Sequence, residues 1–161
     1  MNSNEIEAIL RRNKQFLGCF AWDQLPQFPS SLPKSIIINT GKSDSHGEHW
    51  VAIVLQKKKC FYFDSFGLPI INDYILDFLD GDYNKVTYTD NCIQSINSDM
   101  CGKFCIAFIK HVNSKLSYNT FIEQFDFVKL YKNDEIVENI YREVFAKWDS
   151  SQNGTLLRKM A

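Results

Sequence analysis

Between Ile36 and Asp64 the chain turns to strand chemistry, and this stretch constrains the fold more than any other. Ile36-Ile37-Ile38 is followed by the apolar run His49 to Leu55 and then by Cys60 to Asp64, with the basic turn Gln56 to Lys59 between the last two. Two β-rich runs separated by a short polar turn predict a hairpin. A hairpin alone is marginal in water and needs further strands or helices to cover it. The flanking sequence supplies them. Asn4 and Glu7 have capping-box spacing, and Ile6, Ile9, Leu10, Phe16 and Leu17 repeat at roughly helical intervals before Gly18, predicting a first amphipathic helix. Pro26, Pro29 and Pro33 then mark a surface loop. Pro69 is placed to open a second helix, whose apolar face of Ile70, Ile71, Tyr74, Ile75, Phe78 and Leu79 stops at Gly81. Lys85 to Thr89 reads as another strand. Phe104, Cys105, Phe108, Ile109 and Val112 form the face of a well-buried helix from Cys101, and two more helical patterns follow, near Thr120 to Leu130 and from about Asn133 to Trp148. The expected fold is α+β, a small mixed sheet flanked by helices.

A chain of 161 residues, 45% hydrophobic, fills one core and not two. Residues 1–148 read as a single domain and residues 149–161 as a polar tail. A net charge of -1 with 13 Phe and 7 Tyr excludes both a disordered chain and a strongly basic nucleic-acid binder. The polar start Met1 to Glu7 is unlike a leader, and no apolar run reaches membrane length, so no membrane partner is expected; the chain is expected to be a monomer. Five cysteines at irregular spacing are not a disulfide framework and fit a reducing, intracellular setting. Cys101 and Cys105 stand four apart with no second Cys/His pair at a matching interval, so no metal site is expected either. The open question is whether one thiol is a nucleophile.

Chemistry concentrates in Gly47-Glu48-His49-Trp50, in Phe61 to Gly67, and between Gln94 and Phe108. Closing the hairpin brings His49 and Asp64 together from its two open ends. A carboxylate that accepts from one imidazole nitrogen leaves the other free to take a proton from a thiol. Cys101 precedes Gly102 and the apolar helix, hence sits at the first turn, where the helix dipole and an imidazolium favour a thiolate. Gly102 is expected to let a substrate backbone come close. Gln94, in a polar loop seven residues upstream, has an amide able to donate to a developing oxyanion beside the Cys101 N–H. Taken singly, each has a plainer reading: a His before Trp packs in a strand, Asp64 caps a turn, and Cys is often buried among Phe and Ile, which fits Cys105 better than Cys101. Their joint order points instead to thiol-dependent hydrolysis. His46-Gly47-Glu48 supplies half of a zinc-deaminase signature, but Met100 stands where Pro is needed and three residues, not two, separate the cysteines. A binding module on the same fold has no need of all four residue types.

The series His49-Trp50, Phe63-Asp64-Ser65-Phe66-Gly67, Gln94 with six residues before Cys101, and Cys101-Gly102-x-Phe104-Cys105-x-x-Phe108 resembles the adenovirus-type cysteine endopeptidases, the adenains. More distantly it resembles the ubiquitin-like-protein-specific proteases. Phe16-Leu17-Gly18, Phe28-Pro29 and Ile38-Asn39-Thr40-Gly41 are also similar to the adenain amino-terminal region, so the resemblance covers Phe16 to Val112; the sequence beyond adds almost nothing. It implies a cysteine proteinase fold of that type, with Cys101 as nucleophile, His49 as general base, Asp64 as its orienter where adenains usually carry Glu, and Gln94 as oxyanion donor. It implies no cofactor for the chemistry itself. The implied substrates are structural precursors of a virus or virus-like element, capsid or core proteins, cut in the virion and the infected host cell; a ubiquitin-like-protein deconjugase is the alternative. Adenains are stimulated by DNA and by a viral peptide attached through a disulfide. Against both stand the net charge of -1 and Tyr83, which occupies the position of the accessory cysteine.

Overall fold

The computed structural model describes residues 1–80 and 86–159, with side chains for the whole of the first stretch and for residues 86–147, 149 and 150 of the second. Five strands form one mixed sheet in sequence order: β1 (Phe16–Ala21), β2 (Lys34–Asn39), β3 (Trp50–Gln56), β4 (Lys59–Phe63) and β5 (Val86–Tyr88). The outer pairs β1/β2 and β4/β5 run parallel, and the inner pairs β2/β3 and β3/β4 antiparallel. The helices are α1 (Ser3–Leu10), α2 (Asp73–Leu79), α3 (Cys101–Asn113), α4 (Tyr118–Ile122) and α5 (Leu130–Lys159). The α+β architecture and the hairpin are as the sequence predicts.

Strand β3 is buried from Val51 to Leu55, because both faces of the sheet are covered. Side chains alternate across the pleat. Ala52 and Val54, with Ile37 and Phe63, therefore face the core shared with α1, α3 and Val137 of α5. Val51, Ile53 and Leu55, with Ile36, Ile38 and Tyr62, face Ile75 and Leu79 of α2 and Leu25 and Phe28 of the proline loop. Helix α3 is the centre of the first core, with Gly102, Phe104 to Ile109 and Val112 all buried. Phe108 stacks on Phe63 at 4.6 Å between ring centroids, and this contact fixes α3 against the sheet.

Four expectations shift. Helix α1 starts at Ser3, because Asn2 and Glu5, not Asn4 and Glu7, form the reciprocal capping box. It ends at Leu10, since Arg11 to Lys14 offer no apolar residue to continue its face, and Phe16 and Leu17 belong to β1. Glu7 is used elsewhere, its Oε1 accepting from Cys19 N of β1 at 2.9 Å. Helix α2 starts at Asp73, because the Asn72 side chain accepts from Ile75 N; Pro69 opens nothing, and Ile71 is 84% exposed. In the C-terminal third, α4 is only five residues long, and α5 begins at Leu130 and continues past Trp148 to Lys159, through most of the stretch read as a tail. Gly81, Tyr83 and Lys85 lie outside the described residues.

Candidate active site

His49 stands immediately before β3 and Asp64 immediately after β4. The strands pair Ala52 with Phe63 and Ile53 with Tyr62. Carried past the strand ends, that register sets His49 opposite Phe66 and diagonal to Asp64 on the same face. The side chains meet accordingly: His49 Nε2 lies 2.9 Å from Asp64 Oδ1, and the Phe66 ring packs 4.9 Å from the imidazole. Asp64 is 2% exposed and has a second task, its Oδ1 accepting from Phe66 N at 2.7 Å. The carboxylate thus caps its turn and holds the ring together, so its plain and chemical readings coincide. Gly67 closes that turn at φ +69°, with a Cβ there falling 2.5 Å from the Asn91 carbonyl carbon. The Thr89 hydroxyl accepts from Asp64 N and donates to Asp64 O, bracketing the acid's backbone.

Cys101 is the first residue of α3 and lines the same cleft as His49, with which its thiol is electrostatically coupled. All five cysteines are free thiols. Burial pushes Cys19 and Cys60 up to about 12 and raises Cys92 and Cys105 as well. Cys101 alone goes down. Burial is the strongest single influence on it and acts upward, but the hydrogen bond from His49, the backbone hydrogen bonds from Trp50 and Gly102 and the imidazolium charge together outweigh it. His49 mirrors this: burial acts most strongly and downward, while Asp64 and Cys101 raise its pKa to about 9. The arrangement shifts the pair toward thiolate and imidazolium.

Gln94 is fully buried and locked from three directions. Ser65 Oγ donates to its Oε1 at 2.6 Å, its Nε2 donates to Ser98 O at 2.7 Å, and the Ile93 and Gln94 N–H groups both donate to Ser65 O. An amide nitrogen carries two hydrogens; one goes to Ser98 and the other remains for the cleft that Gln94 lines with His49 and Cys101. This cleft has a volume of about 790 Å³ and is closed on other sides by Met1, Phe20 and Asn39. The structure therefore brings His49, Gln94 and Cys101 around one opening, with the buried Asp64 holding His49 from behind. The other histidines are elsewhere: His46 is exposed, and His111 binds Ser117 O and Thr120 Oγ1 at the far end of α3.

One expectation about the site is corrected. Gly102 is buried, and a Cβ there would come 2.9 Å from Met1 Sδ and 3.3 Å from Trp50 Cδ1. Its bareness admits these two side chains, not a substrate backbone, and Trp50 Nε1 donates to Met1 O on the same wall. Three further residues escape a reading of the sequence. Ser65 and Thr89 tie the acid to the Gln94 segment and to β5. Asn39, buried at the end of β2, accepts from Gly41 N and Glu48 N through Oδ1, while Thr40 N donates to His49 O; together these close the 40–49 loop just ahead of the imidazole. An Asn ending an apolar strand and followed by Gly41 and Gly47 was the available signal. Among the described residues no three His, Cys, Asp or Glu side chains are grouped to hold a metal, and no helix is long and apolar enough to cross a membrane.

Known proteins give the comparison. The family model described as adenovirus endoprotease matches residues 16–152, well past Val112 where the sequence motifs end. The chain is 31% identical over 121 residues to the protease of ovine adenovirus D serotype 7, covering 62% of this chain and 57% of that protein. It is 34% identical over 70 residues to the protease of avian adenovirus 8, covering 40% and 32%. The chain thus spans about half or less of the length of these relatives. Among solved structures, the ASFV pS273R protease aligns at TM-score 0.43 with 23% identity, over 62% of this chain and 42% of its own. The SUMO protease Ulp1 aligns at 0.46 with 15% identity, over 89% and 78%. The match across most of the described chain, together with the cleft that it encloses, has one reading: the chain belongs to the adenovirus endoprotease family.

Proposed function

We propose that this chain is a cysteine endopeptidase that cuts structural precursor proteins of a virus or virus-like element. The observation that carries the reading is the series Asp64, His49, Cys101, in which the histidine held by a buried carboxylate shares a cleft with the one thiol of five whose pKa is lowered. The Cys101 thiolate attacks the scissile carbonyl carbon, and the carbonyl electrons move to oxygen. The free Gln94 N–H and the Cys101 backbone N–H hold that oxyanion. His49 gives its proton to the departing amine, leaving an acyl-enzyme thioester; it then takes a proton from water, whose oxygen displaces Cys101. Every group comes from one chain, so a monomer suffices and the chemistry requires no metal or cofactor.

Purified protein incubated with the capsid and core precursors of its own genome should yield discrete cuts, mapped by sequencing the new amino termini. Turnover of conjugates of a ubiquitin-like protein, with the precursors left intact, would favour the deconjugase instead. The same incubation with and without DNA tests activation. What favours DNA is charge distribution: Lys14, Lys57, Lys58, Lys59 and Lys115 are exposed at the end of the sheet remote from His49, beside Lys34, whose Nζ donates to Lys14 O. The net charge of -1 conceals this basic pole, which offers phosphates a surface roughly 20 Å from the cleft.

Gln94→Ala should lower peptide turnover by roughly 10² to 10³. Alkylation of Cys101 by iodoacetamide forms no oxyanion and should keep its rate. Equal loss of both would mean that Gln94 only holds the loop.

A further inference from the structure

The residues after Val112 contribute nothing to the recognisable motifs, yet the start of α5 reaches directly into the segment that carries Gln94. Asn133 is fully buried and spends its whole amide on backbone: Oδ1 accepts from Asp126 N at 2.8 Å, and Nδ2 donates to Asp126 O at 2.6 Å and to Ile93 O at 2.9 Å. Its neighbour Asp134 accepts from Ser95 N through Oδ1 at 3.3 Å. Gln94 is thus pinned through the peptide groups on either side of it by α5, while Ser65 holds its own N–H and its Oε1 from the sheet. One turn further along α5, Glu138 pairs with Lys103 in the first turn of α3, beside Cys101. Helix α5 therefore grips both the oxyanion segment and the nucleophile's helix.

We propose that Asn133, assisted by Asp134, is a positioning residue for catalysis: it sets the direction from which the Gln94 amide faces the cleft. This rests on the reading of Gln94 as oxyanion donor. An amide must aim at the point where charge develops, and a displacement of about 1 Å is enough to lose up to ~10² in rate. Hydrogen bonds on Ile93 N and O, on Gln94 N and both ends of its side-chain amide, and on Ser95 N exceed what holding a surface loop requires, and Asn133 supplies the only one of them on Ile93 O among the hydrogen bonds described.

The test is a double-mutant cycle with a structural readout beside it. Asn133→Ala should raise amide hydrogen exchange across residues 93–98 and lower kcat about tenfold to hundredfold, with iodoacetamide labelling of Cys101 unchanged. In the Gln94→Ala background the same substitution should have no further effect on kcat, because a residue that acts through Gln94 has nothing left to position. Independent, multiplying losses would overturn the proposal, as would unchanged exchange at 93–98. If Gln94→Ala alone leaves turnover intact, the oxyanion reading falls and this proposal with it. Should Asn133→Ala fail to fold, Asp134→Ala, at a partly exposed site, reads the same exchange and the same cycle with a smaller effect; no change in either overturns the proposal.

Discussion

Cys101→Ala is expected to reduce peptide hydrolysis on the order of 10⁴ to 10⁶, the range over which removing a nucleophile disables a working triad. The fold should survive. Cys101 lies at a helix start and not within the packed face of α3, so truncation opens little space, and Ala is the best helix former. The control is Cys105, one turn along, fully buried with its Sγ donating to Trp50 O. Cys105→Ala should cost stability, about 1 to 2 kcal/mol for a small cavity and a weak hydrogen bond, while turnover stays close to the wild-type rate. Stability is read by denaturant unfolding and turnover on a peptide. Hydrolysis retained by Cys101→Ala and lost by Cys105→Ala would move the chemistry to the buried thiol.

His49→Ala should cost 10² to 10⁴ in turnover, about what a general acid–base contributes. It should also change how Cys101 titrates. In the intact protein the imidazolium persists until about pH 9 and lowers the thiol, so alkylation proceeds below the usual thiol range. Without the ring, only the Trp50 and Gly102 backbone hydrogen bonds oppose burial, and the alkylation profile moves to higher pH. Turnover in the intact protein should fall on the acid side as the thiolate is protonated, and again near pH 9 as His49 loses the proton owed to the leaving amine. The stability linked to the two groups follows the same limits. The raised His49 contributes fully below its ordinary pKa and loses that contribution as pH rises through about 9; the lowered Cys101 contributes above its ordinary pKa and loses that as pH falls through its folded value. His46→Ala and His111→Ala should leave both profiles in place.

His49, Asp64 and Cys101 were legible in the sequence because each stands beside a strong local pattern, whereas Gln94, in a polar loop, was legible through its interval to Cys101. His49 and Asp64 flank hairpin strands whose register follows from β-branched and aromatic runs, and Cys101 opens a helix whose apolar face is nearly continuous. Local pattern fails where a polar side chain does long-range work. Nothing near Asn133 or Thr89 signals that one will bind Ile93 O and the other Asp64, forty and twenty-five residues away. The errors in α1 and α2 share a cause: an Asn cap competed with a second plausible start, and geometry chose Asn2 over Asn4 and Asn72 over Pro69. The role expected of Gly102 failed because the residues that crowd it, Met1 and Trp50, come from distant segments.

Ser65 O receives the N–H groups of both Ile93 and Gln94, so the chain leaves the cleft at Ser65, carries α2 on the opposite side of the sheet, and returns to where it departed. An excursion whose ends are tied together grows at a cost that rises only with the logarithm of its length. Insertions or deletions near the exposed Leu68 and Ile71 should therefore be absorbed without disturbing the catalytic groups, whereas one residue added between Gln94 and Cys101 has no slack to enter. The interval from acid to glutamine is therefore expected to vary in length among related chains while the interval from glutamine to cysteine stays constant, which an alignment of relatives would check.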